Sequence, residues 1–239
     1  MKLDDARMLH QRKYREELRH FLVEGEHPLL ELQKAARLNP ALRGCVLYVT
    51  REHAQWRSPF DTHVITSAQM AKLAETKTPQ GLVAVVPMLP VPAPRPGERA
   101  IYLHEARDPG NLGTILRTLA WFGKLRCLLS PGSVDLYNGK VVRASMGALF
   151  QVAVEVDVEL SSLPERFPRL ARVEMRGEPV FSPGFKDFDC YLFGSEARGL
   201  PAEAAALVAR SFSIPGCGGT ESLNLASAVN ICAYELNRT

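Results

Sequence analysis

The apolar residues of this 239-residue chain gather into short runs and helical stripes that alternate along its length. Runs of aliphatic, β-branched and aromatic residues are typical of buried strands, whereas apolar positions three and four apart predict helices. In the first part of the chain the pattern predicts strands at 21–24, 45–50, 64–66 and 82–86, and helices at 29–36 and 68–75. This alternation indicates a small three-layer α/β domain.

A proline-rich stretch interrupts the pattern at residues 87–97, PMLPVPAPRPG, which hold five prolines and one glycine. Such a composition is typical of an extended, semi-rigid linker, and a proline-rich loop inside one domain is the alternative. We therefore predict a first domain at 1–88, a linker at 89–99 and a second domain at 100–239.

The alternation restarts after this stretch. It predicts strands at 100–104, 125–129, 152–156, 170–175, 190–193 and 212–214, and helices at 112–122, 139–149, 201–209 and near the C-terminus. Strands and helices in this order indicate an α/β fold with a parallel sheet covered on both faces. Ligands of such sheets bind at the carboxyl ends of the strands.

The last predicted helix, within 211–239, is apolar on nearly every side. Thr220 or Ser222 is a candidate N-cap, because a hydroxyl can accept from the free amides of the first turn. A helix that is apolar all round packs against more than one neighbour. One side can therefore cover the sheet, while the other contacts a second partner such as another subunit.

Composition, charge and cysteine usage narrow the class of protein. The chain is 46% hydrophobic and 23% charged, has no apolar run of membrane-spanning length, and begins with a charged segment unlike a signal peptide. Its five cysteines show no metal-ligand spacing, so we expect reduced thiols, a cytoplasmic location and no bound metal. Residues 1–99 carry 15 Lys and Arg against 11 Asp and Glu, a small excess that fits a polyanionic partner.

Three loops that follow predicted strands carry polar residues suited to a ligand. In the first, HEARDPGNLGTILRT at 104–118, Asn111 can cap the following helix, and Arg117 lies about one and two-thirds turns further along. Both side chains can therefore point toward one pocket mouth. A capping Asn and a surface Arg would explain the same residues without a ligand.

The second loop, LFGSEARGLP at 192–201, leaves its strand at Gly194 and turns again at Gly199. Its small residues keep the backbone amides open to a ligand, and Glu196 is its only acid. A strand, a glycine turn and a helix in succession are also a common structural connection. Alone, this loop does not decide between the two interpretations.

The third loop, IPGCGGTESLN at 214–224, places Glu221, Ser222 and Asn224 at a helix start. The sequence holds no GxxxxGK[ST] phosphate cradle, no GxGxxG after a strand, no GxSxG and no HExxH. A nucleophilic serine needs a nearby base, and all six histidines lie at or before His104. We therefore do not expect Ser222 to form a covalent intermediate.

A further candidate group lies in NGKVVRASMGALF, where Lys140, Arg143 and Ser145 place two cations and a hydroxyl at a predicted helix start. Such groups are suited to phosphate. A solvated helix face would account for the same residues.

Taken in order, NLGTILRT, VVRASMGALF, LFGSEARGL and IPGCGGTESLNLASAVNICAYE resemble the SpoU (TrmH) family of RNA ribose 2′-O-methyltransferases, within the SPOUT class. The resemblance covers nearly all of residues 100–239. More loosely, FLVEGEHPLLELQKA and ETKTPQGLVAVV resemble the accessory RNA-binding domain of that family.

The resemblance implies a C-terminal trefoil knot, a homodimer packed through the knotted regions, and S-adenosylmethionine as the methyl donor. It implies RNA as the substrate, bound in part by Lys140, Arg143 and Ser145. The residues implied to hold the cofactor are Phe193, Gly194, Ser195, Glu196, Ile214, Pro215, Gly216, Ser222, Leu223 and Asn224.

The same resemblance assigns catalytic roles to Asn111, Arg117, Glu196, Ser222 and Asn224. The arginine matching Arg117 has been proposed as the base, but a guanidinium stays protonated in proteins. We therefore favour a role in which Arg117 grips the adjacent phosphate and stabilises the forming alkoxide, while the phosphate or a water takes the proton. Asn111 would orient Arg117 or the ribose, and the other three would shape the pocket.

Several alternative substrates and functions fit the sequence. Ribosomal RNA is the favoured substrate because of the front domain, with transfer RNA as the alternative, and an antibiotic-resistance enzyme would act on the same ribosomal RNA. A non-catalytic RNA-binding or ribosome-assembly protein could keep the fold, although the presence of all five catalytic candidates argues against it. A cofactor-binding α/β enzyme with a small-molecule substrate comes third.

Overall fold

The computed structural model describes residues 1–238 and divides the chain into two compact units. The first unit comprises Met1–Pro90 and Asp135–Gln151. The second comprises Val91–Val134 and the chain from Val152 onwards. By its contacts, the segment Asp135–Gln151 thus belongs to the first unit, whereas the sequence pattern placed it in the second domain.

Strands and helices alternate throughout, and each is numbered in chain order. The strands are β1 His20–Glu24, β2 Val46–Thr50, β3 Asp61–Ile65, β4 Leu82–Pro87, β5 Arg99–Leu103, β6 Leu125–Leu129, β7 Val154–Glu155, β8 Leu170–Pro179, β9 Cys190–Phe193 and β10 Arg210–Ser213. The helices are α1 Leu3–Met8, α2 Arg12–Leu18, α3 Glu26–Leu38, α4 Ser67–Leu73, α5 Pro109–Phe122, α6 Gly139–Ser145, α7 Leu163–Arg166, α8 Ala202–Leu207 and α9 Leu225–Asn237.

The first unit is built on a four-stranded sheet with the order β1-β4-β2-β3. Strands β2 and β3 run parallel, and β4 is antiparallel to both β1 and β2. Leu22, Tyr48 and Val83 of the sheet pack with Met70 and Leu73 of α4 in one buried cluster. This confirms the predicted α/β character of the first part.

The second unit is built on a six-stranded sheet with the order β10-β8-β9-β5-β6-β7, and every neighbouring pair is parallel. The central strands β5, β6 and β9 are almost fully buried, as expected for a parallel sheet covered on both faces. The predicted α/β parallel-sheet class is therefore confirmed.

Helix α6 ends four residues earlier than the pattern 139–149 predicted. Met146 (φ 49°) and Gly147 (φ 87°) both adopt the left-handed conformation, which terminates the helix after Ser145. A short 3₁₀ turn at Ala148–Phe150 follows. The apolar periodicity continues through this break, so it could not reveal where the helix ends.

The C-terminal helix α9 begins at Leu225, later than a cap at Thr220 or Ser222 would place it. Asn224 is the N-cap, and its Oδ1 accepts from the backbone N–H of Ala226 at 2.9 Å and of Ser227 at 3.3 Å. Both capping predictions are therefore wrong. Neither α9 nor any other described helix is long and apolar enough to cross a membrane.

The cysteines divide into a buried group and one exposed thiol. All five are free, and burial raises the pKa of Cys45, Cys127 and Cys232 to about 12. Thiolates are scarce at such pKa values, so these buried side chains act as small apolar packing groups. Cys217, in the loop before α9, is exposed.

Candidate active site

Parallel strands deliver their carboxyl ends to one edge of the second sheet. There, Leu103 of β5 lies opposite Leu129 of β6 and Phe193 of β9. The backbone N–H of His104 donates to the carbonyl of Phe193 at 2.9 Å, so the loops after β5 and β9 begin side by side. This edge is where a parallel sheet binds its ligands.

The start of α5 sets the position of Asn111. Asp108 is the N-cap, and its carboxylate accepts from the backbone N–H of Asn111 at 2.7 Å, while Pro109 occupies the first turn. The prediction that Asn111 caps this helix is therefore wrong. Because Asp108 fills that role, the Asn111 side chain is free to reach other loops.

Asn111 joins the three predicted loops to one another. Its Nδ2 donates to Oε1 of Glu196, in the loop after β9, at 2.7 Å. Its Oδ1 accepts from Nδ2 of Asn224, the cap of α9, at 2.9 Å. The structure thus brings together three of the five predicted catalytic residues in one hydrogen-bonded chain.

The loop after β9 is a tight turn closed by its own backbone. The N–H of Ser195 donates to the carbonyl of Gly199 at 3.1 Å, and the N–H of Gly199 donates to the carbonyl of Ser195 at 2.9 Å. A Cβ at Gly194 would lie only 2.1 Å from the carbonyl carbon of Gly199 and 2.3 Å from the nitrogen of Leu200. Glycine is therefore required at position 194 for this turn.

An open cleft of about 640 Å³ lies over these loops. Its size falls within the range of small-molecule sites, roughly 300–1,000 Å³. The residues that line it are Glu105, Arg107, Asp108, Asn111, Ser195, Glu196, Ala197, Arg198 and Asn224. Four predicted site residues thus line one cavity: Asn111, Ser195, Glu196 and Asn224.

Sequence reasoning identified Glu196 but missed the other charged residues at this cleft. Glu105 accepts through Oε2 from Nη2 of Arg107 at 3.1 Å and from Nη2 of Arg198 at 3.3 Å. Both arginines lie within the loops already singled out, so their charge beside a glycine turn was the signal available. The sequence pattern could not show that the carboxylate of Glu105 binds both arginines.

Arg117 lies elsewhere on α5. In the described structure its exposed side chain is absent from the lining of the cleft that Asn111 enters. Six residues along a helix amount to about 240° of rotation, so Asn111 and Arg117 point in different directions. The expectation that both face one pocket mouth is therefore wrong for the single chain.

The remaining predicted cofactor residues fall into two groups. Phe193 is buried within β9, so only its backbone is placed to meet a ligand. Pro215, Gly216, Ser222 and Leu223 are exposed in the loop before α9, and Ile214 at its start is half-buried. Their role in holding a cofactor stays a prediction.

The three predicted RNA-contacting residues lie in the first unit, on α6. Ser145 is fully buried, and its hydroxyl donates to the carbonyl of Val142 at 2.8 Å, so it is inaccessible to a phosphate. Arg143 donates from Nη1 to Oε2 of Glu75 at 3.1 Å. Lys140 is exposed. Of the three, only Lys140 is neither buried nor described as paired with a carboxylate.

The groups near the edge of the sheet bear on proton transfer. Burial raises the pKa of Tyr102, on β5, to about 12, so its phenol stays protonated near neutral pH. Tyr102 is thus unsuited to act as a base. Among residues 1–238, no group of three or more His, Cys, Asp and Glu side chains is placed to hold a metal ion.

Comparison with known families accounts for nearly the whole chain. Residues 98–234 match the model of the SpoU rRNA Methylase family. Residues 2–84 match the MRM3-like substrate binding domain. Together these matches cover the cleft and most of the first four-stranded sheet.

Two relatives match over nearly the full length. A tRNA/rRNA methyltransferase of Synechocystis, itself uncharacterised, is 31% identical over 97% of this chain and 89% of its own. The 23S rRNA (guanosine(2553)-2′-O)-methyltransferase RlmP of Bacillus subtilis is 27% identical over 98% of this chain and 95% of its own.

Solved structures share the fold. An RNA methyltransferase of the TrmH family from Porphyromonas gingivalis superposes with a TM-score of 0.82 at 30% identity, covering 99% of this chain and 96% of that one. An rRNA methyltransferase from Sinorhizobium meliloti with bound AdoMet superposes with a TM-score of 0.84 at 25% identity, covering 99% and 94%.

Proposed function

The chain belongs to the SpoU rRNA Methylase family, and we propose that it transfers a methyl group from S-adenosylmethionine to a ribose 2′-hydroxyl of ribosomal RNA. The observation that carries this proposal is the hydrogen-bonded chain from Glu196 through Asn111 to Asn224, which joins three loops at the ligand-binding edge of the sheet. The name of the Bacillus subtilis relative, an rRNA 2′-O-methyltransferase, supports the same reaction.

The residues at the cleft fit S-adenosylmethionine. A Cβ built at Gly216, Gly218 or Gly219 would meet no described atom within 4 Å, so the backbone of that loop is open to a ligand. Gly194 keeps the neighbouring turn tight, and Glu196 places an acid at the cleft, which favours a cation. We assign cofactor binding to the predicted residues of both loops.

Bound there, S-adenosylmethionine supplies an electrophilic methyl group on a positively charged sulfur. The protein's task is then to align the ribose hydroxyl and to let its proton leave. Asn111 fixes the relative positions of Glu196, which lies in the turn after β9, and Asn224, which caps α9. We assign the proton to a substrate phosphate or a water.

Arg117 is assigned to the substrate phosphate. A guanidinium cannot serve as the base, but its planar fork matches two phosphate oxygens and can stabilise a forming alkoxide. We expect Arg117→Lys, which keeps the charge and loses the fork, to lower kcat roughly 10- to 100-fold while leaving the Kd for S-adenosylmethionine unchanged. Steady-state methyl transfer at saturating RNA measures kcat; near-normal turnover would contradict the assignment.

A homodimer is the assembly we propose, packed through the outer faces of α5 and α9. Trp121 is 84% exposed and Tyr234 is 54% exposed, and Ile231 lies one turn before Tyr234 on α9. Arg117 and Trp121 are four residues apart and share one face of α5, so a second copy on this face would lie beside Arg117. Large exposed apolar side chains on adjoining helices favour such a contact.

We expect Trp121→Glu to convert the dimer into a monomer, because a charge would replace a large apolar anchor of the contact. Light scattering coupled to size exclusion measures the change in mass. Phe181→Glu is the matched control, since Phe181 is 59% exposed and lies outside α5 and α9. A wild-type monomer, or equal loss of dimer in both variants, would contradict the proposed interface.

Two further features follow the family resemblance. We propose that the chain after β10 is threaded as a trefoil knot. In support, β10 is an edge strand of the sheet, and the chain then leads to α9, which packs on α5. We propose that the protein works in the cytoplasm, which is supported by five free cysteines.

The substrate is tested by following labelled methyl transfer from S-adenosylmethionine to unmodified ribosomal RNA and, separately, to transfer RNA. Label in ribosomal RNA is the expected result. Transfer RNA is the second candidate, because the Synechocystis relative is named a tRNA/rRNA methyltransferase. Label in transfer RNA alone would overturn the substrate and keep the chemistry, and measurable cofactor binding without any label would overturn both acceptors.

A further inference from the structure

Two arginines and one glutamate at the cleft have no part in the reaction as derived so far. Arg107 and Arg198 come from different loops, 91 positions apart in the chain, and both donate to the same Oε2 of Glu105. Their guanidinium groups are therefore gathered at one place on the rim of the cleft. Such convergence is what recognition of an anion requires.

Within the trio one carboxylate faces two guanidinium groups, which leaves a net charge of +1. Asp108 and Glu196 also line the cleft, so the positive excess is confined to the trio. The side chains of Arg107 and Arg198 are 60% and 69% exposed, so both can meet a ligand from solution. Exposed ion pairs of this kind contribute little to stability, so an incoming anion can share or replace them.

Glu105 is held more firmly than the arginines. Only 26% of its side chain is exposed, and its backbone adopts a left-handed φ of 46°, which is uncommon for a residue other than glycine. Its N–H donates to Oγ of Ser130 at 2.7 Å. A carboxylate anchored by its own backbone can therefore hold two exposed arginines at the cleft.

We propose that Arg107 and Arg198, positioned by Glu105, bind a backbone phosphate of the RNA beside the ribose that is methylated. This inference rests on the proposed function and adds two substrate-binding residues to it. A phosphodiester presents oxygens that two guanidinium groups can clasp from both sides, and contacts to phosphate fix the register of a nucleic acid. The carboxylate of the cofactor offers the same anionic chemistry, and the experiment separates the two.

The test measures RNA binding and methyl transfer in Arg107→Ala, Arg198→Ala and the double variant. We expect each single change to raise the KM for RNA about tenfold, with kcat changed less than twofold and the Kd for S-adenosylmethionine unchanged. The slope of log Kd against log salt should become shallower by about 0.7–0.9 in the double variant, which no longer neutralises this phosphate. Arg198→Lys should recover part of the affinity, because it keeps the charge without the fork.

Arg210→Ala is the matched control. Arg210 is also exposed and paired with a glutamate, Glu178, but lies on β10 and outside the lining described for the cleft. RNA affinity and salt slopes equal to wild type in the Arg107 and Arg198 variants would overturn the proposal, as would a weakened Kd for S-adenosylmethionine. Anisotropy of labelled RNA needs no methyl transfer, so failure of this phosphate contact stays distinguishable from failure of the proposed reaction.

Discussion

Gly194→Ala is expected to weaken S-adenosylmethionine binding at least about 100-fold and to abolish methyl transfer with it. The new Cβ would lie 2.1 Å from the carbonyl carbon of Gly199 and 2.3 Å from the nitrogen of Leu200. Both of these are backbone atoms, which cannot move aside as the end of a flexible side chain could. The turn from Ser195 to Gly199 must therefore open, and it carries Glu196 away from Asn111.

Gly194→Ala is expected to change the turn after β9 and to leave the sheet folded, and two kinds of measurement distinguish these effects. Isothermal titration gives the cofactor affinity, while circular dichroism and the thermal midpoint report whether the sheet still forms. Gly184→Ala is the matched control, because a Cβ at Gly184 would have its nearest neighbours at 3.7 Å, an ordinary contact distance. Unaltered cofactor affinity in a folded Gly194→Ala protein would show that the turn has no part in the site.

Asn111→Ala should lower kcat roughly 100-fold. It removes the side chain that hydrogen-bonds both to Glu196, in the loop after β9, and to Asn224, the cap of α9. Glu196 would lose the 2.7 Å donor that orients it, and Asn224 would keep its capping contacts to Ala226 and Ser227. Folding should be little affected, since the cap of α5 is Asp108.

Asn111→Asp sharpens this test. It keeps the size of the side chain and an acceptor for Asn224, but it replaces the donor to Glu196 with a like charge, so we expect a loss of kcat similar to that of alanine. Asn237→Ala, which removes a hydrogen bond to Ala233 at the other end of α9, is the control expected to retain activity. Full activity in Asn111→Asp would contradict the role of the donated hydrogen bond.

Local pattern was sufficient for most of the second sheet. The aliphatic runs of β5, β6 and β9 are buried on both faces, and such runs are legible in the sequence without knowing their neighbours. The glycine turn at 194–199 could be predicted in the same way, because it follows from the backbone freedom of single residues. The start of α5 could not: the helix begins at Pro109, three residues before the predicted start at 112.

What the pattern could not supply were contacts between distant positions. Asn111 looked like a cap because asparagine is a good cap, and only the three-dimensional structure shows Asp108 doing this while Asn111 reaches Glu196. Ser145 looked accessible at a helix start and is buried. The gathering of Arg107 and Arg198 by Glu105 depends on which strands are neighbours, which the sequence of either loop alone does not contain.

The position of the transferred methyl group tests the central claim most directly. RNA labelled by the protein with radioactive S-adenosylmethionine would be digested with alkali, which cleaves next to every free ribose 2′-hydroxyl and leaves a 2′-O-methylated linkage intact. The account predicts label in an alkali-resistant dinucleotide, present with wild-type protein and reduced about 100-fold with Asn111→Ala. Label recovered in mononucleotides would place the methyl group on a base and contradict it.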